Sequence, residues 1–295
     1  MKLIKRMTLA ATIGATMAFP AAVMAADTTQ GVISFDHGSL DTLDTLGLND
    51  HILAVPKQSL PAYLAHYAGD EYPDAGGLKS PDLETIAKLQ PDLVLITNRQ
   101  GDLLDQLSND ITVVDVGLPE GSFAEGVTEQ VLNLASRFGS SEKARTALEE
   151  LWDYVAKQKR RIEGELEVLV VTHNDGKYSL RSEPTVTELL GLGLPEVPKG
   201  TETITRGART FTPLTPEVMA VLAPDIILVV DRSAAIGSTP LNAIQLSERL
   251  AELGAADSQV TILSPGLWYL SGGGLRSIRL QVDEVLASMD PPTES

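Results

Sequence analysis

The 295-residue chain contains no cysteine, which excludes disulfides, thiolate metal sites and an N-terminal lipidated cysteine. Histidine is scarce as well: His37, His51, His66 and His173 form no H-E-x-x-H and do not cluster at ligand spacing, which argues against bound zinc or manganese. There is no G-x-S-x-G nucleophile elbow, and Gly272-Gly273-Gly274 is not followed by the Gly-Lys-Ser/Thr of a phosphate loop, so it is a flexible or close-packed turn. Positive charge is the largest deficit, with 23 Lys and Arg against 40 Asp and Glu and a formal charge of −17. Such a surface repels phosphate backbones and argues against nucleic acid as a partner, but a single pocket can still be basic. Aromatics make up only 4% of the chain, so the adjacent Trp268 and Tyr269 are as suited to a cleft as to the core.

The first residues differ in kind from the rest. Lys2, Lys5 and Arg6 precede an uncharged, Ala-rich stretch from Met7 to Met24, followed by small residues at Ala25 and Ala26. This is the pattern of a cleaved secretion signal over residues 1–26. A membrane anchor competes with it on length, but Gly14, Thr16 and Pro20 interrupt the run. The expectation is a free periplasmic protein. Cleavage removes three basic and no acidic residues, taking the formal charge from −17 to −20.

Beyond the leader, short apolar runs alternate with helical patterns. Residues 31–35, 51–56, 91–96 and 111–116 read as buried strands, with a short helix over 39–47 that Ser39 can cap and Gly47 can stop. A second series of strands covers 166–172, 225–230 and 259–263, with helices over 185–192, 241–253 and 276–289. Between the two series lies a continuous helical pattern with Glu142 near its start and Lys157, Lys159, Arg160 and Arg161 at its end, charges that oppose the helix dipole. The expected organisation is an α/β lobe over 27–139, a linker helix over 140–163 and an α/β lobe over 164–295.

A half-repeat joins the two lobes, and each copy reads as a capped helix that begins with proline after Ser or Thr, then a Pro-Asp break and a strand. Ser80-Pro81-Asp82-Leu83-Glu84 is followed by the strand after Pro91-Asp92 and then by Arg99; Thr215-Pro216-Glu217 is followed by the strand after Pro224-Asp225 and then by Arg232. Each arginine stands seven residues past its Asp, at the carboxyl end of a strand where open α/β sheets bind ligands. Arg181, in a loop over Lys177–Ser182, is a third candidate. Each arginine read singly is as consistent with a surface ion pair, whereas guanidinium groups converging on a cleft suit carboxylates, catecholates or phosphates.

With these blocks in place the chain resembles the periplasmic ferric-siderophore-binding proteins of iron-uptake ABC transporters, the helix-linked class of substrate-binding protein. The blocks that carry the resemblance are His37-Gly38, Asp41 to Gly47, Val55-Pro56-Lys57, Gly77-Leu78-Lys79, Lys88 to Ile96 and Trp268-Tyr269-Leu270. The resemblance implies two Rossmann-like α/β sandwich lobes joined by a long rigid linker helix, a small lobe motion, no intrinsic cofactor and no catalysis. It implies that Arg99, Arg181 and Arg232 neutralise an anionic Fe(III)-siderophore and that Tyr269 can complete iron coordination. It also implies that Glu84 and Glu217, each eight residues before its Asp, dock on arginines of an inner-membrane ABC permease. A monomer suits that docking.

One departure bears on the ligand. Where the family pairs its tyrosine with a histidine, this chain has Thr205-Arg206-Gly207. Arg206 cannot ligate iron, and the expectation is that it adds a fourth positive group for a more highly charged or coordinatively saturated chelate. Haem, a corrinoid or ferric citrate are the alternatives within the class. A periplasmic α/β reductase or hydrolase is the alternative outside it, and a purely structural interaction module leaves the repeated strand-end arginines unexplained.

Overall fold

The computed structural model describes residues 29, 31–101, 106, 107, 110–119, 121–206 and 209–289; the leader expected over 1–26 lies outside them. The first half runs through β1 (Val32–Ser34), α1 (His37–Thr45), β2 (Ile52–Ala54), the two-residue β3 (Gly76–Gly77) and β4 (Ser80–Pro81), α2 (Leu83–Leu89), β5 (Leu93–Ile96) and β6 (Thr112–Asp115). Two long helices follow, α3 (Phe123–Arg137) and α4 (Ser141–Lys159). The second half continues with β7 (Val168–Asn174), β8 (Lys177–Leu180), β9 (Ile204–Arg206), β10 (Arg209–Phe211), β11 (Pro213–Leu214), α5 (Pro216–Leu222), β12 (Ile226–Asp231), α6 (Arg232–Ala235), α7 (Ala243–Glu252), β13 (Gln259–Leu263) and α8 (Leu275–Ala287).

The first sheet is parallel, in the order β2-β1-β5-β6. In the second, ordered β11-β8-β7-β12-β13, the parallel β7, β12 and β13 are extended by antiparallel β8 and β11. The chain therefore forms two α/β lobes connected by long helices. With 19 residues, α4 spans about 28 Å at 1.5 Å per residue and ends in a turn at Arg160, short of the expected 163.

Alternation along the strands decides what each sheet faces. Val168, Val170, Leu228 and Val230 point into the same apolar cluster as Val32, Leu93 and Leu95 of the first sheet, together with residues of α1, α3, α4 and α8. The intervening Leu169, Val171, Ile227 and Val229 pack outward under α5 and α7, and Val94 and Ile96 pack under α2. The lobes are thus two sides of one continuous core.

The half-repeat has a structural cause. Residues Gln90 and Ala223 end α2 and α5 in left-handed conformation, with φ of 48° and 43°. The Pro-Asp that follows turns the chain into the strand. There the Asp92 carboxylate accepts Gly31 N at 2.9 Å and the Asp225 carboxylate accepts Glu167 N at 2.8 Å, each just ahead of its lobe's first strand. The repeated aspartate thus ties the start of its strand to the neighbouring strand.

Three local expectations are corrected. Asp36, not Ser39, caps α1: its carboxylate accepts both the N–H and the hydroxyl of Ser39, at 2.7 and 2.9 Å. In the first half the helix starts after Asp82, which accepts Glu84 N and Thr85 N, because Ser80 and Pro81 are drawn into β4; in the second half Thr215 caps and Pro216 is the first helical residue, as expected. The segment 177–180, expected as loop, is strand β8, turned out of β7 by Asp175 and Gly176 at φ of 49° and 72°. That pair of left-handed residues is the requirement of a tight hairpin.

The lobes meet most closely where α1 crosses the start of α8. A Cβ on Gly38 would run into the Gly272 carbonyl oxygen, and one on Gly274 would strike the Asp41 carboxylate. Among the two alternatives for the glycine triplet, close packing is therefore the one found. Asp41, fully buried, accepts Ser277 N at 2.7 Å and Arg276 N at 3.1 Å, binding the first turn of α8 across the junction. Burial pushes the Asp41 carboxyl up to about 6, against the bonds from Ser277, Thr45 and Arg276. The native state then holds a proton at a pH where the unfolded chain has released it, so this group adds stability as pH falls through about 6 and adds none above. Asp41→Asn is expected to abolish a rise on the order of 2 kcal/mol between about pH 7 and pH 4 in denaturant-unfolding free energy. Asp41→Ala, which strands two helix N–H groups, is expected to lose about 2 kcal/mol at neutral pH.

Candidate binding site

Arg99 reaches the junction from the loop after β5. Gln100 holds that loop: it is buried, its side-chain oxygen accepts Thr97 N at 2.6 Å, and its amide donates to Phe35 O at 3.2 Å and Leu78 O at 2.5 Å. So supported, Arg99 Nη2 donates to the carbonyl of Tyr269 at 2.8 Å.

Arg232 is the first residue of α6, directly after β12. Asp231 caps that helix through Ala234 N at 3.2 Å and also accepts Leu241 N at 2.7 Å and His173 Nδ1 at 2.8 Å. Burial pushes the Asp231 carboxyl up, but the bonds from His173, Leu241 and Ala234 outweigh it and leave it below the usual carboxylate range. Gly176 N donates to His173 Nε2 at 3.0 Å, which assigns the ring proton to Nδ1. This buried His-Asp pair therefore has no nitrogen left to activate a nucleophile; it ties the β7–β8 hairpin to α6. Arg232 Nε donates to the Tyr269 hydroxyl at 2.8 Å and Nη1 donates to Asn174.

Arg181 follows β8 and is fastened by its own N–H to Val170 O at 2.9 Å. Its Nη2 donates to Trp268 O at 3.1 Å and its Nε to the Glu183 carboxylate. All three arginines thus converge on one π-helical turn, Gly266–Leu270, a rare geometry that gathers at functional sites. The turn is anchored from below, with Trp268 Nε1 donating to Glu284 of α8 at 2.6 Å. The Arg99 and Arg232 guanidinium carbons stand 5.8 and 5.7 Å from the centre of the half-buried Tyr269 ring, within cation–π range.

A cavity of about 570 Å³ opens over this turn, lined by Arg99, Arg181, Arg232, Tyr269 and, from the first lobe, Lys79 and Ser80. No described Asp or Glu lines it, despite the acidic composition. Its directed N–H donors are suited to a polyanionic oxygen ligand. His37 lies buried close by; burial, and next the Arg99 charge, hold it down to about 4 and therefore neutral. The backbones of Leu270 and Pro56 pull the other way, yet neither ring nitrogen reaches hydrogen-bond geometry with them.

Of the residues expected at the site, Arg99, Arg181, Arg232 and Tyr269 stand together. Arg206 is on β9, and its side chain lies outside the described residues. Glu84 and Glu217 are exposed and away from the cavity, each the second residue of its helix. Sequence reasoning missed Lys79, Asn174, Gln100 and Glu183; the Asp175-Gly176 hairpin signal was the one cue able to place Asn174 at a strand end. Gln100→Ala leaves the Thr97 N–H and two carbonyls without their partner, and is expected to lower unfolding free energy by about 2 kcal/mol. Calorimetry checks the stability, and the Arg99 arm is expected to lose order.

This fold and this cluster are those of a two-lobed binding protein with its cavity at the junction of the lobes. The Periplasmic binding protein family matches residues 32–262, and the chain belongs to it. It is 31% identical over 259 residues to the "Petrobactin-binding protein YclQ" of Bacillus subtilis, covering 86% of this chain and 80% of that one. The "Ferric-anguibactin-binding protein FatB" of Vibrio anguillarum is 25% identical over 270 residues, covering 87% and 81%. The crystal structure of YclQ superposes with a TM-score of 0.79 at 30% identity, over 90% of this chain and 93% of that one.

Proposed function

We propose that this periplasmic protein captures a ferric siderophore in the arginine-lined cavity and serves an ABC iron-uptake system. The observation that carries the assignment is the convergence of Arg99, Arg181 and Arg232, from both lobes, on a cavity lined by no described carboxylate. The names of YclQ and FatB, one a petrobactin binder and the other a ferric-anguibactin binder, support the same ligand class.

The arginines act on the anionic oxygens around the iron. Tyr269 offers the phenol oxygen best suited to ferric iron, a hard cation, and completes the coordination of a chelate that leaves a position open. To do so it has to exchange the donor bond from Arg232 for the metal. Arg206, at the position where the resemblance implies a histidine, is proposed to add positive charge for a saturated chelate. Titration with ferric catecholate, hydroxamate and carboxylate chelates is expected to quench tryptophan emission, with Trp268 as the reporter in a Trp152→Phe background. Arg99→Ala, Arg181→Ala and Arg232→Ala are each expected to weaken the best chelate about tenfold or more, as for a lost charged hydrogen bond. Unchanged affinities in all three overturn the site, and Tyr269→Phe without loss of a visible phenolate-to-iron band removes Tyr269 from the iron.

Docking on the permease rests on Glu84 and Glu217, one exposed carboxylate per lobe at matched helix positions. Glu217 is bound by Arg249 at 2.8 Å, and that bond first of all holds its carboxyl down to about 2. The carboxylate is thus fully ionised, with an arginine partner that a permease arginine can replace. Reversing both charges, Glu84→Arg with Glu217→Arg, is expected to abolish iron-dependent growth while leaving chelate affinity within about twofold; sustained uptake refutes the docking role.

A further inference from the structure

The partners of the three arginines differ in charge. Asn174 and the Tyr269 hydroxyl bind Arg232 and are neutral, as are the carbonyls of Trp268 and Tyr269 that bind Arg181 and Arg99, although Arg99 also feels the charge of the Asp36 carboxyl. Glu183, which binds Arg181 Nε, is an acid.

Its place is set by the chain. Glu183 precedes Pro184 and the π-helical turn Thr185–Leu189, and its carbonyl accepts Val186 N at 2.9 Å. The side chain retains 10% exposure, against 27% for Arg181, and it stands behind the arginine, outside the lining of the cavity. Burial raises its carboxyl, and Arg181 opposes that rise through charge and hydrogen bond.

Holding Arg181 in place does not require a charge here. Its main chain is fixed by Val170 and its Nη2 by Trp268 O, and a neutral amide at position 183 could still accept from Nε, through a weaker bond than a carboxylate makes. What the carboxylate adds is a negative charge close behind the cavity wall, balancing one of the four cations, Lys79, Arg99, Arg181 and Arg232, that line it. In a partly desolvated site such a charge acts on the ligand as well as on the arginine.

We infer that Glu183 is a specificity-determining residue that limits the positive charge of the cavity, so that the protein discriminates among ferric chelates by their net charge. This rests on the siderophore reading of the cavity. Three catecholates leave Fe(III) with a trianionic complex, and three hydroxamates leave it neutral. Glu183 holds back affinity for the first and is nearly indifferent to the second.

The test measures the affinities of the unsubstituted protein, Glu183→Gln and Glu183→Asp for a ferric tris-catecholate and a neutral ferric tris-hydroxamate, at low and high salt. Glu183→Gln keeps the acceptor and removes the charge. It is expected to raise the catecholate-to-hydroxamate affinity ratio on the order of tenfold, with the gain shrinking at high salt. Glu183→Asp, which keeps the charge, is expected to leave the ratio within about twofold of the unsubstituted protein. An equal change for both chelates makes Glu183 a hydrogen-bonding support and overturns the inference, as does a ratio that the Gln variant leaves unchanged while the unsubstituted protein binds. If the unsubstituted protein binds neither chelate, the siderophore reading itself falls.

Discussion

The arrangement of the binding cavity depends on one buried carboxylate. Asp41 of α1 holds the first N–H groups of α8, and α8 in turn carries Glu284, which anchors the turn bearing Trp268 and Tyr269. That turn receives Arg99 from one lobe and Arg181 and Arg232 from the other. Were α8 to shift against α1, the three guanidinium groups would lose their common acceptor segment. The glycines at 38 and 274 are what allow the carboxylate to come close enough, since a side chain at either position would occupy the space of a carbonyl or of Asp41 itself. A buried acid is expensive, and its raised pKa records that cost; the structure keeps it because helix N–H groups would otherwise go unsatisfied at the centre of the molecule.

A protein with a formal charge of −17 and a cavity suited to an anion looks contradictory only if charge is averaged over the surface. At physiological salt the screening length is about 8 Å, so exposed carboxylates beyond that distance scarcely reach a ligand in the cleft. Groups at the cavity wall act at contact and in a lower dielectric. In the proposed site Lys79 and the three arginines therefore outweigh the distant carboxylates, while the acidic exterior governs solubility and which surfaces the protein approaches.

How much of this was legible in the sequence varies with the range of the interaction responsible. Arg99 and Arg232 could be found because strand, Pro-Asp and arginine are local patterns repeated at equal spacing. The repeated aspartates, however, satisfy backbone N–H groups of Gly31 and Glu167, 61 and 58 residues away, and no local pattern reveals such a partner. Arg181 was found for a partly mistaken reason: the segment before it is a strand, turned by Asp175 and Gly176, a hairpin cue weaker to the eye than the apolar runs around it. Glu183 and Gln100 were invisible because their burial follows from tertiary packing, and polar residues carry no periodic sign of being inside.

The continuous core also constrains how binding is signalled. Because α1, α3, α4 and α8 pack both sheets into a single apolar cluster, opening the lobes widely would expose that cluster to water, and the free energy of a few charged contacts does not compensate for this. Binding must therefore work within a nearly fixed frame. The arginines are already oriented, by neutral acceptors and, at Arg181, by Glu183 as well, so a polyanionic ligand has only to replace some of the neutral bonds with stronger charge-assisted ones. The ordering entropy of three long side chains has largely been lost on folding, before the ligand arrives. Arg99 is the exception in kind, since it alone of the three reaches across from the first lobe to the second. A ligand that drew Arg99 from the Tyr269 carbonyl would change a contact between lobes without moving either far, because the two halves share one interior.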